Sequence, residues 1–248
     1  MVGNLLLRGM IVGAVAGLLA FGFARVFGEP AVDHAIALEE AASQAKGEAP
    51  EPELVSRDVQ AGLGLFTGVV TFGAALGGLF SLAFSFSYGR LTPLGPRGAS
   101  ALLAAVGFVA LVLVPGLKFP PTPPAVGSPE TIVARTQLFF TMLALSLAAV
   151  AVAVAVARRS WRLGAWNASL LGVAVYAALV VLIDLALPGV NEVPEQFPAL
   201  LLWDFRIASL GMQAILWAGL GLGFGYVAER YLASLRPERR IASAYAAR

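Results

Sequence analysis

The sequence has no cysteine, a single histidine (His34) and few charges: 13% of its residues are Asp, Glu, Lys or Arg, about half the share in soluble domains. Without thiols there are no disulfides, thiolate metal cages or iron–sulfur clusters. No phosphate-cradling loop, paired-histidine motif or nucleophile with a companion base can be named, so nothing points to an enzyme. The run Gly219-Leu220-Gly221-Leu222-Gly223-Phe224-Gly225 sits inside a hydrophobic segment with no strand before it, which excludes a dinucleotide fingerprint. The pI near 9.2 comes from basic residues scattered between apolar stretches, so nucleic acid is not an expected partner. What the chain has instead is apolar length, with 58% hydrophobic residues and a mean hydropathy of +0.81.

Crossing a bilayer takes about 20 apolar residues. Six runs qualify, at about 5–27, 61–84, 100–117, 132–157, 168–187 and 206–228. Their hydrophobicity is continuous rather than alternating, which predicts helices. The expected fold is an all-α integral membrane protein with six transmembrane helices forming one domain over residues 1–248.

Charge sets the expected orientation. Arg8, Arg90, Arg97, Arg158, Arg159, Arg162, Arg230, Arg236, Arg239, Arg240 and Arg248 fall on one side of such a topology. That side is predicted to be cytoplasmic, with both termini inside. Twelve of the 15 acidic residues fall on the other side, giving an acidic external face. The first external loop, 28–60, holds a short amphipathic helix over 31–40 and then a solvated run, Gly47–Glu53. Residues 118–129 are Pro-rich and predict a stiff, polyproline-like strap. The basic tail, 229–248, is expected to lie against anionic lipid.

Val114-Pro115-Gly116-Leu117 and Leu187-Pro188-Gly189-Val190 end two segments alike, and Phe27-Gly28-Glu29-Pro30 ends a third less similarly. The returning segments carry Arg57, Arg135 and Arg206 at their outer ends. This pattern reads as three pseudo-repeated helical hairpins, with chance similarity among low-complexity helices as the rival account. Gly9/Gly13/Gly17, Gly64/Gly68, Gly73/Gly77 and Gly221/Gly225 are four apart, the spacing that lets membrane helices approach closely.

The candidate site residues are the charges near the outer ends. Leu187–Arg206 carries Glu192 and Glu195 between prolines, then Asp204 and Arg206 among Trp203 and Phe205. It reads either as a solvated connector or as the entrance to a cation site. Asp184 lies about a turn inside its span, at a depth similar to Arg25, Arg135 and Arg206. These charges form either an intramembrane ion-pair layer or an ion path through Asp184. His34, with Glu29, Asp33, Glu39 and Glu40 within six residues, suits a divalent ion such as cobalt, nickel or manganese. Glu29, Asp33, His34, Glu192 and Glu195 are the metal-ligand candidates, and Co2+ or Ni2+ the candidate ion; no resident cofactor is implied.

Several stretches resemble the CbtA family of cobalt transporter subunits. They include Leu7-Arg8-Gly9, Phe23-Ala24-Arg25-Val26-Phe27-Gly28-Glu29-Pro30 with Asp33, and Val55-Ser56-Arg57 with Gln60-Ala61-Gly62-Leu63-Gly64. Lys118-Phe119-Pro120, Pro123-Pro124-Ala125-Val126-Gly127, Leu163-Gly164-Ala165-Trp166-Asn167-Ala168 and Asn191-Glu192-Val193-Pro194 with Phe197-Pro198 complete the set. The resemblance implies a multi-pass protein of the bacterial inner membrane that imports cobalt for cobalamin synthesis. It also implies a small single-span CbtB-like companion. Relatives carry a histidine-rich run in the first external loop, whereas Ala41–Glu53 here has none. The expected function is a membrane subunit of a divalent metal (cobalt-type) transport system. In it the cation would be collected at the acidic face and passed between helices, with lipid, the companion and a possible second copy of the chain as partners. The alternative is a structural or assembly subunit of a larger membrane complex.

Overall fold

A helix satisfies its own backbone in lipid, which a lone strand does not, and the computed structural model is built from helices. It describes residues 2–47 and 55–246, with side chains as far as Leu235. The expected solvated run over 48–53 and the side chains of the basic tail beyond Leu235 lie outside the described residues. Six helices are long and apolar enough to cross a membrane: α1 (Val2–Ala45), α2 (Arg57–Ser87), α3 (Pro96–Lys118), α4 (Pro129–Arg159), α5 (Ala165–Ala186) and α6 (Ala199–Leu235). Among the described residues there is no β-strand. The protein is an all-α, multi-pass membrane protein.

Four of these helices contain a π-turn, at Ala24–Gly28, Gln60–Gly64, Val109–Leu113 and Gly219–Phe224. Two of the four come immediately before a Xaa-Pro pair, Glu29-Pro30 and Val114-Pro115. Proline lacks an N–H, and its ring collides with the carbonyl four residues back. The wider i→i+5 turn accommodates both defects, so the helix continues. As a result α1 does not end near Phe27 and yield to a loop at 28, as expected from the sequence. It runs to Ala45 and absorbs the amphipathic segment over 31–40. Pro188 has no π-turn before it, and α5 stops at Ala186. Helix α6 begins at Ala199, earlier than expected, because Pro198 is harmless at a helix start. Trp203, Asp204 and Arg206 therefore lie within its first turns.

A π-turn also leaves a carbonyl in need of a donor, and two serines supply one. Ser100 Oγ donates to the Gly221 carbonyl at 2.8 Å. Ser146 Oγ donates to the Ala110 carbonyl at 2.8 Å and lies 2.9 Å from the Tyr176 hydroxyl. Both serines are wholly buried.

The described chain divides into two compact units, residues 2–25, 55–106 and 211–246 in one and residues 26–47 and 107–210 in the other. In the first, α1 and α2 meet backbone to backbone through Gly9, Gly13 and Gly17 against Val69, Gly73 and Gly77. Gly219 of α6 rests on Ala16, and Gly221 and Gly225 rest on Ala104 and Ser100 of α3. Phe80, Phe84 and Phe224 interlock edge to face, with ring centroids 5.6 and 5.2 Å apart. Not every glycine pair is used: a methyl group on Gly68 would meet no neighbour within 4 Å. In the second unit α4 and α5 pack closely at Gly172, against the Ala153 carbonyl and the Ala157 methyl.

A β-carbon on Gly13 would press on the Gly73 carbonyl and lie 2.9 Å from the Gly77 Cα. Gly13→Ala should therefore destabilise the fold by about 1–3 kcal/mol through overpacking. Gly68→Ala should be neutral or gain up to about 1 kcal/mol from helix propensity. Thermal unfolding of the two variants in the same detergent separates these outcomes.

Candidate functional site

The second unit carries the site. Residues 119–128 leave α3 with no regular structure apart from a turn at Pro124–Ala125. Ala125 has φ 65° and Gly127 φ 105°, so the backbone is left-handed twice within three residues. Pro123 and Val126 are buried, which anchors this strap on its inner side. The strap, the start of α4, the loop 190–193 and Arg206 line an open cavity of about 490 Å3. Phe119, Phe139 and Phe140 supply apolar wall, while Thr122, Thr136 and Asn191 supply polar atoms.

Glu192 holds this assembly together. Its carboxylate accepts the Ser128 N–H at 2.9 Å, tying the loop to the end of the strap. It also lies 3.4 Å from Arg135 Nε, and Arg135 in turn donates from Nη2 to the Ser128 carbonyl at 3.3 Å. The Thr131 hydroxyl, the Ser128 N–H and the Arg135 charge hold the Glu192 carboxyl below its ordinary range, against a small opposing effect of desolvation. Every favourable cause stabilises the ionised form.

The expected ion-pair layer has different members from those its depth suggested. Asp184 is met by Lys118, whose Nζ donates to the Asp184 carbonyl at 2.7 Å and lies 3.6 Å from Oδ1. Arg135 belongs to Glu192. Arg206 donates from Nε to the Pro121 carbonyl at 3.4 Å and has no ion-pair partner among the described residues. Asp204 and Arg25 are exposed.

The metal-ligand candidates are dispersed in character. Glu29 is buried and engaged with a neighbour, and Asp33 is exposed but also engaged. His34 and Glu195 are exposed. Among the described residues no three His, Asp or Glu side chains come together as a cation cage. Glu192 is committed to the strap. Lys118 and Ser128 were missed by sequence reasoning. Lys118 follows a Pro-Gly turn that reads as a helix end, so its position offered the only signal. Ser128 acts through its backbone, which sequence does not advertise.

Comparison with known proteins bears on what this unit serves. A family model described as a probable cobalt transporter subunit (CbtA) matches residues 2–229. The chain belongs to the CbtA family. No curated protein and no solved structure matches it. CbtA membership and six spans make it a subunit of a metal-uptake family within a membrane.

Because the Glu192 pKa is lowered in the folded chain, its contribution is present above the ordinary carboxylate value of 4.5 and is lost as pH falls through the depressed value. Hydrogen-exchange protection over 119–128, taken relative to the unstructured rate at each pH, should be high at pH 6 and fall on acidification below about 4.5. In Glu192→Gln that protection should already be low at pH 6 and change little with acid. Gly127→Ala should have a similar effect at every pH, since its methyl would fall on the Arg135 guanidinium.

Proposed function

We propose that this chain is the membrane subunit through which a cobalt-type divalent cation passes, collected at an acidic external face and handed between helices. The observation that carries the reading is the CbtA match over residues 2–229, spanning all six membrane helices. Exposed side chains support the collecting step: Glu195 and Asp204 are exposed, and so is His34 on α1. Clustered exposed acids raise the local concentration of a dication and speed its capture. Such ligands exchange readily, which suits passage better than storage. Asp184 is the acidic step within a span. Its pairing with Lys118 makes it a gated one, because a cation at Asp184 must displace the ammonium. Glu29 and Glu192 contribute to this reading as structural supports of the outer layer.

A second reading is favoured by one specific observation. The described residues hold no three-ligand group, as expected if the chain assembles a site completed by a small single-span companion. The family's own description, a subunit, is compatible with such a partner. On this reading the helices would be scaffold, and removing Asp184 would leave metal selectivity untouched.

Uptake of radioactive cobalt by cells expressing the chain with its companion tests both. Asp184→Asn should abolish uptake at saturating metal. The pair Asp33→Asn and His34→Ala should raise the half-saturating cobalt concentration about tenfold while sparing the maximal rate. Full uptake in all of these variants would remove the route through Asp184 and leave the scaffold reading.

A further inference from the structure

The cavity beneath the strap is a poor place for a bare dication. It is lined by two guanidinium groups, Arg135 and Arg206, and one carboxylate, Glu192. Glu192 and Arg135 form a pair, which leaves the charge of Arg206 uncompensated by any carboxylate among the described residues. Each guanidinium carries five N–H donors in a rigid fork. Arg206 uses its Nε on a backbone carbonyl at 3.4 Å, and among the described residues no bond from its two terminal nitrogens competes with a ligand. An arginine fork of this kind matches an oxyanion held through two parallel hydrogen bonds.

Size and lining narrow the ligand further. About 490 Å3 lies within the range of small-molecule pockets and far exceeds what a lone ion fills. Phe119, Phe139 and Phe140 offer an apolar surface beside the arginine, so the ligand should carry an apolar body as well as its charge.

We propose that this cavity is a binding site for a singly charged oxyanion borne on a short apolar body, seated on Arg206 and covered by the Pro-rich strap. The Arg135–Glu192 pair positions the strap over the ligand and leaves Arg206 to neutralise it. Two sources share this chemistry, a soluble organic carboxylate and the phosphodiester of an anionic lipid. A metal ion enters the cavity only as part of a complex whose net charge is negative. The site is independent of the cation route through Asp184, and binding rather than metal uptake reports on it.

Isothermal titration of the purified full-length chain in a neutral maltoside detergent tests the proposal. The probes are 4-phenylbutyrate, dihexanoyl phosphatidylglycerol and, as an uncharged control, 4-phenylbutanol. At least one of the two anions should bind saturably, with the alcohol at least tenfold weaker. Binding of phenylbutyrate alone assigns a soluble carboxylate, and binding of the phosphatidylglycerol alone assigns a lipid headgroup. Arg206→Gln should weaken the bound anion at least tenfold with thermal unfolding unchanged, and Arg206→Lys should restore part of the loss. Saturable binding of neither anion, equal binding of the alcohol, or an undiminished affinity in a folded Arg206→Gln variant would overturn it. The comparison of anion with alcohol needs no variant, so it decides the matter even if Arg206→Gln does not fold.

Discussion

Inside a bilayer every backbone carbonyl released from a helix must find another donor, and the rest of this structure follows from how that demand is met. Two π-turns let α1 and α3 run through Pro30 and Pro115 where a regular helix would break. Two buried serines answer the carbonyls of Ala110 and Gly221. A hydroxyl lost from either position leaves an unanswered carbonyl in an apolar place, a penalty of about 1–3 kcal/mol. Continuing α1 past Pro30 also places Glu29, Asp33 and His34 on a fixed helix rather than on a loose loop.

The second organising feature is electrostatic. Lys118 meets Asp184 and Arg135 meets Glu192, while Arg206 has no acidic partner among the described residues. The unit that was expected to gather cations at Glu192 therefore has a cationic cavity beside it. A site for cations and a site for anions are compatible in one transport subunit. The first needs exchangeable carboxylates open to water, and the second needs a guanidinium beside an apolar wall. The exposed Glu195 and Asp204 fit the first description, and Arg206, half-buried in a cleft with apolar walls, fits the second.

Much of the fold was legible in the residues. Six continuous apolar runs predicted six helices, and the glycines at 9, 13, 17, 73 and 77 predicted a close crossing that the backbone shows. Proline was the source of error. Its local rule, that a helix stops near it, holds at Pro188 and fails at Pro30, where a π-turn intervenes; the span expected over 100–117 does run through Pro115, by the same device. A proline alone does not announce a π-turn, since Pro188 has none before it while Pro30 and Pro115 do. The site was legible as a set of charges but not as a set of pairs. Depth along each helix suggested arginine partners for Asp184, whereas rotation about the helix axes brings Lys118 to it. Rotation is set by packing, and single-residue spacing carries little of that information among helices that are apolar on most faces. Glu192 is a ligand candidate in the sequence because it is a carboxylate held between prolines in a connector. Its commitment to Ser128 comes from a loop contact 64 residues away in sequence.

The most direct test of a cation route within this chain is cobalt entry into sealed vesicles containing the purified protein alone, followed by quenching of a trapped metal-sensitive dye. A route through these helices predicts saturable quenching down an imposed cobalt gradient, faster than in protein-free vesicles and lost in Asp184→Asn. Quenching no faster than in protein-free vesicles would contradict it and assign passage of the metal to another component of the system.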